Sequence, residues 1–282
     1  SDGSKATGSQ GFPGYQPSDE VNANRTALGA YADAELDLSR KILMGAAVRA
    51  ENYSDFGSTI NFKYDIRYKI ADFVNLRGSF STGFRAPSLQ QINFSSTFTT
   101  VQGGNIAEVK IAPNYSDITK AAGIPDLKQE KSLNASLGAS IKPIPELTIT
   151  IDGYWVQIKD RVVLSGQFDA SDENLDPELR ALLQDLNVSL AQFFANAVNT
   201  TNRGIDVVAD YNKRWHNQSF RALFTGNLQT MTIDKINVPE KLSGSEFLRK
   251  TFLSDREQAF ILASAPNSKA ALNLEYGIKN FT

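Results

Sequence analysis

The segment from Ile60 to Ile70 constrains the fold most, because apolar and polar residues alternate along it without exception. One set is Ile60, Phe62, Tyr64, Ile66, Tyr68 and Ile70, and the other is Asn61, Lys63, Asp65, Arg67 and Lys69. Successive side chains of a β-strand point to opposite faces of a sheet, so this period of two predicts a strand. A sheet that contains it must have one apolar face and one charged face.

The same alternation recurs along the chain and predicts about nine antiparallel strands. They span 28–38, 42–52, 60–70, 74–84, 131–141, 147–163, 199–211, 219–231 and 269–279. Most have about eleven residues or more, which is roughly twice the ~5–6 of a globular strand and close to the ~9–11 that cross a bilayer at a tilt. The pattern therefore indicates an all-β fold of long strands.

The connections between these strands alternate in length. The short ones are 39–41, 71–73, 142–146 and 212–217, and the others are a modest 53–57 and the long segments 86–128, 164–198 and 232–267. This parity is expected when strands run up and down in a transmembrane barrel, with one rim facing a confined periplasm and the other reaching outward. The Gly-, Ser- and Asn-rich segment 1–26 has the position and composition of one more outward loop.

Two of the long loops carry helix signals. Asp176 is followed by Pro177, and apolar residues then recur at helical spacing from Leu179 to Ala197. Residues 254–257 match a capping box, and Pro266 is expected to end the helix that follows. These helices are predicted to pack within their loops, and a ligand contact by the first of them stays open.

The charged face is expected to line the lumen if the fold is a transmembrane barrel. Lys63 and Arg67 would each cost about 2–4 kcal/mol if they faced lipid near the bilayer midplane. The lumen-facing candidates are Lys63, Asp65, Arg67, Arg77 and Asp206. A soluble β-sandwich would also bury the apolar face, but its strands are shorter and its turns follow no two-sided rule.

Composition argues against several classes of function. The 29 basic and 31 acidic residues give a net charge of −2 and form no basic stripe, which disfavours nucleic-acid binding. There is no cysteine, and His216 is the only histidine, so a thiol nucleophile, a His-based triad and a multi-His metal site are not available. We therefore predict no catalytic residue, no metal site and no cofactor.

Three short motifs carry a resemblance to a known family. The first runs through Gly83, Phe84, Arg85, Ala86, Pro87 and Ser88 at the end of a predicted strand. The others are 51–57 (Glu-Asn-Tyr-Ser-Asp-Phe-Gly) and 202–207 (Asn-Arg-Gly-Ile-Asp-Val). In this context the chain resembles, over essentially its whole length, the barrel of TonB-dependent outer-membrane receptors.

The first motif also has a physical meaning of its own. Pro87 lacks an N–H group and restrains Ala86, so the strand ladder must end there, while Gly83 permits a close approach of backbone or loop. Arg85 shares the parity of Arg77 and is therefore expected to face the lumen, where it could pair with carboxylates on neighbouring strands or on a plug. The motif either ends a strand and anchors a loop, or contacts substrate directly.

The resemblance implies a barrel of twenty-two strands around an N-terminal plug, located in the bacterial outer membrane. Such a receptor imports a scarce nutrient, such as an iron chelate, cobalamin or a glycan, and is driven by the TonB complex. Residues 1–282 are then a central to C-terminal part of the barrel, with the plug, the region that contacts TonB and the remaining strands absent. The expected partners are TonB, outer-membrane lipid and a small-molecule or oligosaccharide substrate. An outer-membrane barrel enzyme and a β-sandwich adhesin are the alternatives.

Overall fold

The computed structural model describes residues 17–102, 104–186 and 188–278, and twelve strands form one sheet. The strands are β1 (Ala27–Ser39), β2 (Ile42–Tyr53), β3 (Gly57–Ala71), β4 (Val74–Arg85), β5 (Ser96–Gln102), β6 (Asn105–Ala112), β7 (Glu130–Ile144), β8 (Leu147–Leu164), β9 (Phe168–Asp169), β10 (Leu190–Trp215), β11 (Gln218–Ile236) and β12 (Ser268–Ile278). The helices are α1 (Leu89–Asn93), α2 (Asp117–Ala121), α3 (Pro177–Asp185), α4 (Glu246–Phe252) and α5 (Asp255–Leu262), besides short 3-10 turns at Pro17–Asp19 and Glu240–Leu242.

Nine long strands form an up-and-down meander in the order β1-β2-β3-β4-β7-β8-β10-β11-β12, and every neighbouring pair is antiparallel. They correspond one to one with the nine strands predicted from the sequence, so the predicted fold class is confirmed. The sheet does not close on itself within the described residues. Residue 279 of the last predicted strand and residues 1–16 of the predicted leading loop lie outside the described part.

The prediction of a helix reaching Ala197 is wrong beyond Asp185. Asp176 does cap α3, since its carboxylate accepts a hydrogen bond from the Glu178 amide at 3.0 Å. However, β10 begins at Leu190 and is 26 residues long. Its first residues are buried on both faces, so they form a mostly apolar run that fits a buried strand as well as a helix.

Three strands were not predicted because they lie within the long loops. The antiparallel hairpin of β5 and β6 joins β10 through a parallel pairing in which Leu190 lies opposite Val109. The two-residue strand β9 pairs with the same part of β10. The second predicted helix is present as α5, which follows Ser254 and ends at Leu262, before Pro266.

The strand register gives the nine-stranded sheet two chemically different faces. One row of paired residues runs Leu43, Arg67, Arg77, Gly138, Asp152, Asp206, Asn227 and Lys269, and it belongs to what we call the polar face. The next row runs Met44, Ile66, Gly78, Leu137, Gly153, Ile205, Leu228 and Ser268, and it belongs to the apolar face. The apolar face is open in the described part of the chain, and its large side chains are exposed.

The hydrophobic core lies at the long-loop end of the strands. We call this region the loop lobe, meaning the described residues of 86–128, 165–198 and 237–267. Its fully buried side chains include Phe168, Leu179, Leu183, Phe193 and Phe252.

Among the described residues, no helix is long and apolar enough to cross a membrane.

Candidate functional site

An ion pair on the polar face links two strands that are not neighbours. Arg77 on β4 reaches over β7 to Asp152 on β8, with 2.7 Å between Nε and Oδ1 and 2.5 Å between Nη2 and Oδ2. Gly138 on β7 lies directly between them in the register. A Cβ atom at Gly138 would be 1.9 Å from Asp152 Oδ1. The bidentate pair therefore requires glycine at this position.

A second polar network crosses the sheet in the same way. Tyr154 on β8 extends over Gly204 on β10, where a Cβ atom would be 2.5 Å from the phenol oxygen. That oxygen accepts a hydrogen bond from Asn227 Nδ2 at 3.2 Å, and the same amide donates to Asp206 Oδ1 at 2.7 Å. Long polar side chains thus lie flat along the polar face over glycines and connect β8, β10 and β11.

All five residues singled out from the sequence lie on the polar face. Lys63 Nζ is 3.3 Å from Asp65 Oδ1, and both side chains are exposed. Arg67 lies directly opposite Arg77 and has no ion-pair partner in the described part of the chain. Arg77 and Asp206 belong to the two networks above. The register therefore brings the five together in a charged surface that spans β3 to β10.

The first family motif forms the end of β4 and the start of α1. Arg85 is the last strand residue, and its Nη2 lies 2.5 Å from Glu130 Oε1 on β7. The same carboxylate oxygen accepts a hydrogen bond from the Val162 amide at 2.8 Å, and Glu130 is buried. Ser88 caps α1 in a reciprocal capping box with Gln91. In this structure the motif ends a strand and anchors the loop that follows.

Arg25 joins two of the family motifs, and sequence reasoning missed it. Its Nη2 is 2.6 Å from Asp55 Oδ2 and donates to the Pro87 carbonyl at 2.7 Å. The guanidinium carbon also lies 5.2 Å from the centre of the Phe56 ring, which stacks on Tyr53 at 4.4 Å. Nothing in the sequence around Arg25 distinguishes it from the rest of its Gly- and Ser-rich segment.

The loop lobe contains a cavity of about 390 Å³ next to α5, which we call the loop cavity. Its lining includes Phe98, Gln192, Arg256, Glu257, Phe260 and Ile261. The Arg256 guanidinium carbon lies 5.6 Å from the centre of the Phe260 ring. Aromatic side chains, a guanidinium, a carboxylate and an amide therefore line one partly open space at the long-loop end.

An exposed ion pair lies on α4 of the loop lobe. On α4, Lys250 Nζ lies 2.9 Å from Glu246 Oε1, and this hydrogen bond lowers the pKa of the Glu246 carboxyl. Both side chains are exposed. Neither residue lines the loop cavity.

The fold is a meander of long antiparallel strands with one apolar and one polar face, and its long connections lie at one end. These features define the class of outer-membrane β-barrel proteins. Residues 2–282 match the family described as TonB dependent receptor-like, beta-barrel. The chain belongs to this family, and its place is the bacterial outer membrane.

Solved structures share the fold at low sequence identity. The siderophore receptor PirA from Pseudomonas aeruginosa superposes with a TM-score of 0.53 at 14% identity, over 77% of this chain and 39% of that chain. The RagAB peptide transporter gives a TM-score of 0.52 at 14% identity, over 76% of this chain and 23% of that chain. The chain therefore spans less than half the length of these structures. No curated protein matches the sequence.

Proposed function

We propose that residues 1–282 are a section of a receptor barrel that captures a scarce nutrient outside the cell and imports it with energy from the TonB complex. The observation that carries this proposal is the loop lobe. All the longest connections lie at one end of the strands and fold around a shared core that borders a ligand-sized cavity. A lobe of this kind is suited to capture a ligand before transport.

The polar face is proposed as the lumen wall. Lys63, Asp65, Arg67, Arg77 and Asp206 lie on this face, and charged side chains are tolerated in a lumen but costly against lipid. The Arg77–Asp152 pair across Gly138 links β4 to β8 within this wall. A plug and the segment that contacts TonB would come from other parts of the full receptor.

An iron chelate is the proposed cargo, with cobalamin and glycans as alternatives. Phe98 and Phe260 line the loop cavity, together with the Arg256 guanidinium and the Glu257 carboxylate, which accepts a hydrogen bond from the Ser254 hydroxyl. These groups suit a ligand that has ring systems and an anionic or polar group beside them, because rings stack, a guanidinium binds anions and the Glu257 carboxylate is already hydrogen-bonded within the protein. The fold is shared with a siderophore receptor and with a peptide transporter, which is compatible with several cargoes. We propose no enzymatic step, because the family consists of receptors.

The loop cavity can be tested with the full receptor in intact cells. Replacing Arg256 by Gln and Phe260 by Ala together is expected to weaken binding of the transported iron chelate at least tenfold, because both the charge and the ring are removed. Binding would be measured with radiolabelled iron chelates. The matched control is Lys250→Gln on α4, which removes an exposed charge of the same lobe without touching the cavity. Unchanged binding in the double variant would contradict the assignment of this cavity.

A further inference from the structure

Three basic residues interrupt the apolar face near the long-loop end of β7, β8 and β10. Lys131 lies directly opposite Lys159, in the same alternating set as Leu137 and Gly153. Arg203 lies opposite Trp155 on the neighbouring strand pair. All three side chains are exposed, and we call them the basic band.

The basic band carries a local excess of positive charge. On the apolar face of β7, β8 and β10, the charged residues are all basic. Lys131, Lys159 and Arg203 have no ion-pair partner within the described residues. Asp234, at this end of β11, accepts hydrogen bonds from the hydroxyl groups of Thr201 at 2.6 Å and Thr232 at 3.0 Å. Because two like charges directly across a strand pair repel each other, this arrangement favours an external anion.

The position of the band matches the outer edge of the membrane. A strand of ~9–11 residues crosses a bilayer at a tilt. Each of the three residues lies farther than this along its strand from the strand end at the short turn. Basic side chains on the lipid face are costly at the midplane and tolerated at the interface. At the interface, basic side chains extend toward the lipid headgroups.

A groove on the apolar face begins at Arg203. Its volume is about 900 Å³, and its lining includes Leu137, Gly153, Trp155, Arg203, Ile205 and Leu228. Gly153 leaves the floor open, since the only neighbour that a Cβ atom there would meet is the Leu137 carbonyl oxygen at 3.8 Å. An apolar groove with a guanidinium at its edge has the shape and chemistry to hold an amphiphile that carries an anionic head.

We propose that this surface binds a phosphorylated lipid of the outer leaflet. The Arg203 guanidinium holds a phosphate group at the edge of the groove, as guanidinium groups do through paired hydrogen bonds, and an acyl chain lies over Gly153. Lys131 and Lys159 add positive charge on the loop side, in the manner of basic lipid-headgroup sites. This inference rests on the proposed orientation, in which the apolar face meets lipid.

The test uses the full receptor in nanodiscs of phosphatidylcholine. Diphosphoryl lipid A and its dephosphorylated form are added as probes, and bound lipid is counted by native mass spectrometry. Wild-type receptor is expected to retain the phosphorylated probe at least tenfold better than the dephosphorylated one. The triple variant Lys131→Gln, Lys159→Gln and Arg203→Gln is expected to lose this preference. The matched control Lys213→Gln, on the same face near a short turn, is expected to keep it.

A separate variant tests the groove, and a separate label tests the orientation. Gly153→Leu fills the groove floor and is expected to lower retention of the phosphorylated probe severalfold with the basic band intact. A fluorophore on Ile205→Cys reports contact with brominated lipid. Quenching of this fluorophore together with unchanged phosphate preference in the triple variant would overturn the lipid site alone. Absence of quenching would overturn the orientation on which the site rests.

Discussion

At the scale of single residues, glycine decides which polar contacts the sheet can make. Arg77 and Asp152 lie on strands separated by β7, and their contact exists because Gly138 has no side chain. The alternation of the sequence predicts the face of Arg77 but not this partner. A bridge over a third strand depends on the register, which a single strand pattern does not define.

Replacing Gly138 by Ala tests the bridge. The added Cβ would overlap the Asp152 carboxylate, so the ion pair must break or the strands must shift, and we expect a loss of about 1–3 kcal/mol in stability. The matched control is Gly153→Ala, one pairing row away on the opposite face, where the added methyl meets no atom closer than 3.8 Å. Urea unfolding in lipid vesicles, followed by tryptophan fluorescence, measures the difference. Equal midpoints for the two variants would contradict the structural role of the bridge.

Arg25 and Glu130 show the limit of residue-level prediction. The motif that contains Pro87 was recognised, but its partner Arg25 lies in a segment assigned to a loop by composition. Glu130 lies at the first position of β7, where its carboxylate accepts hydrogen bonds from the Arg85 guanidinium and from the Val162 amide. Contacts between residues so far apart in the chain leave no local signal, so only the fold brings them together.

At the scale of elements, strands paired with sequence neighbours were predicted well, and strands within the loop lobe were not. The nine meander strands each have one apolar and one polar face, which produces the period of two. The start of β10 lies in the lobe core and pairs with β6, so neither face is polar. β5 and β6 lie in a region predicted as a loop, because a hairpin that joins a distant strand does not follow the up-and-down rule.

Val109 on β6 tests whether the lobe is one packed unit. Its side chain is fully buried against Leu190, so Val109→Asp would bury a carboxylate with no cation and destabilise the lobe by about 3 kcal/mol or more. The matched control is Val101→Asp on β5 of the same hairpin, where the side chain is 69% exposed. We expect faster external proteolysis of the loops in the first variant, with membrane assembly unchanged. Equal proteolysis rates in the two variants would show that the hairpin is not part of the core.

At the scale of the whole molecule, the central claim is the orientation of the two faces. Nine strands present an apolar face, which is interrupted by the basic band near its long-loop end, and a polar face, and the family places the sheet in an outer membrane. We propose that the apolar face is directed to lipid and the polar face to the lumen. The lumen wall, the capture lobe and the lipid site all depend on this one assignment.

The most direct measurement is the accessibility of two adjacent positions on β3 in the full receptor. Residues 1–282 contain no cysteine. A cysteine introduced by Lys63→Cys or by Tyr64→Cys is therefore the one thiol in these strands and can be labelled selectively. A fluorophore at position 64 is expected to be quenched by brominated lipid, and one at position 63 by aqueous iodide but not by lipid. The reverse pattern, or aqueous quenching at both positions, would contradict the orientation of the barrel wall.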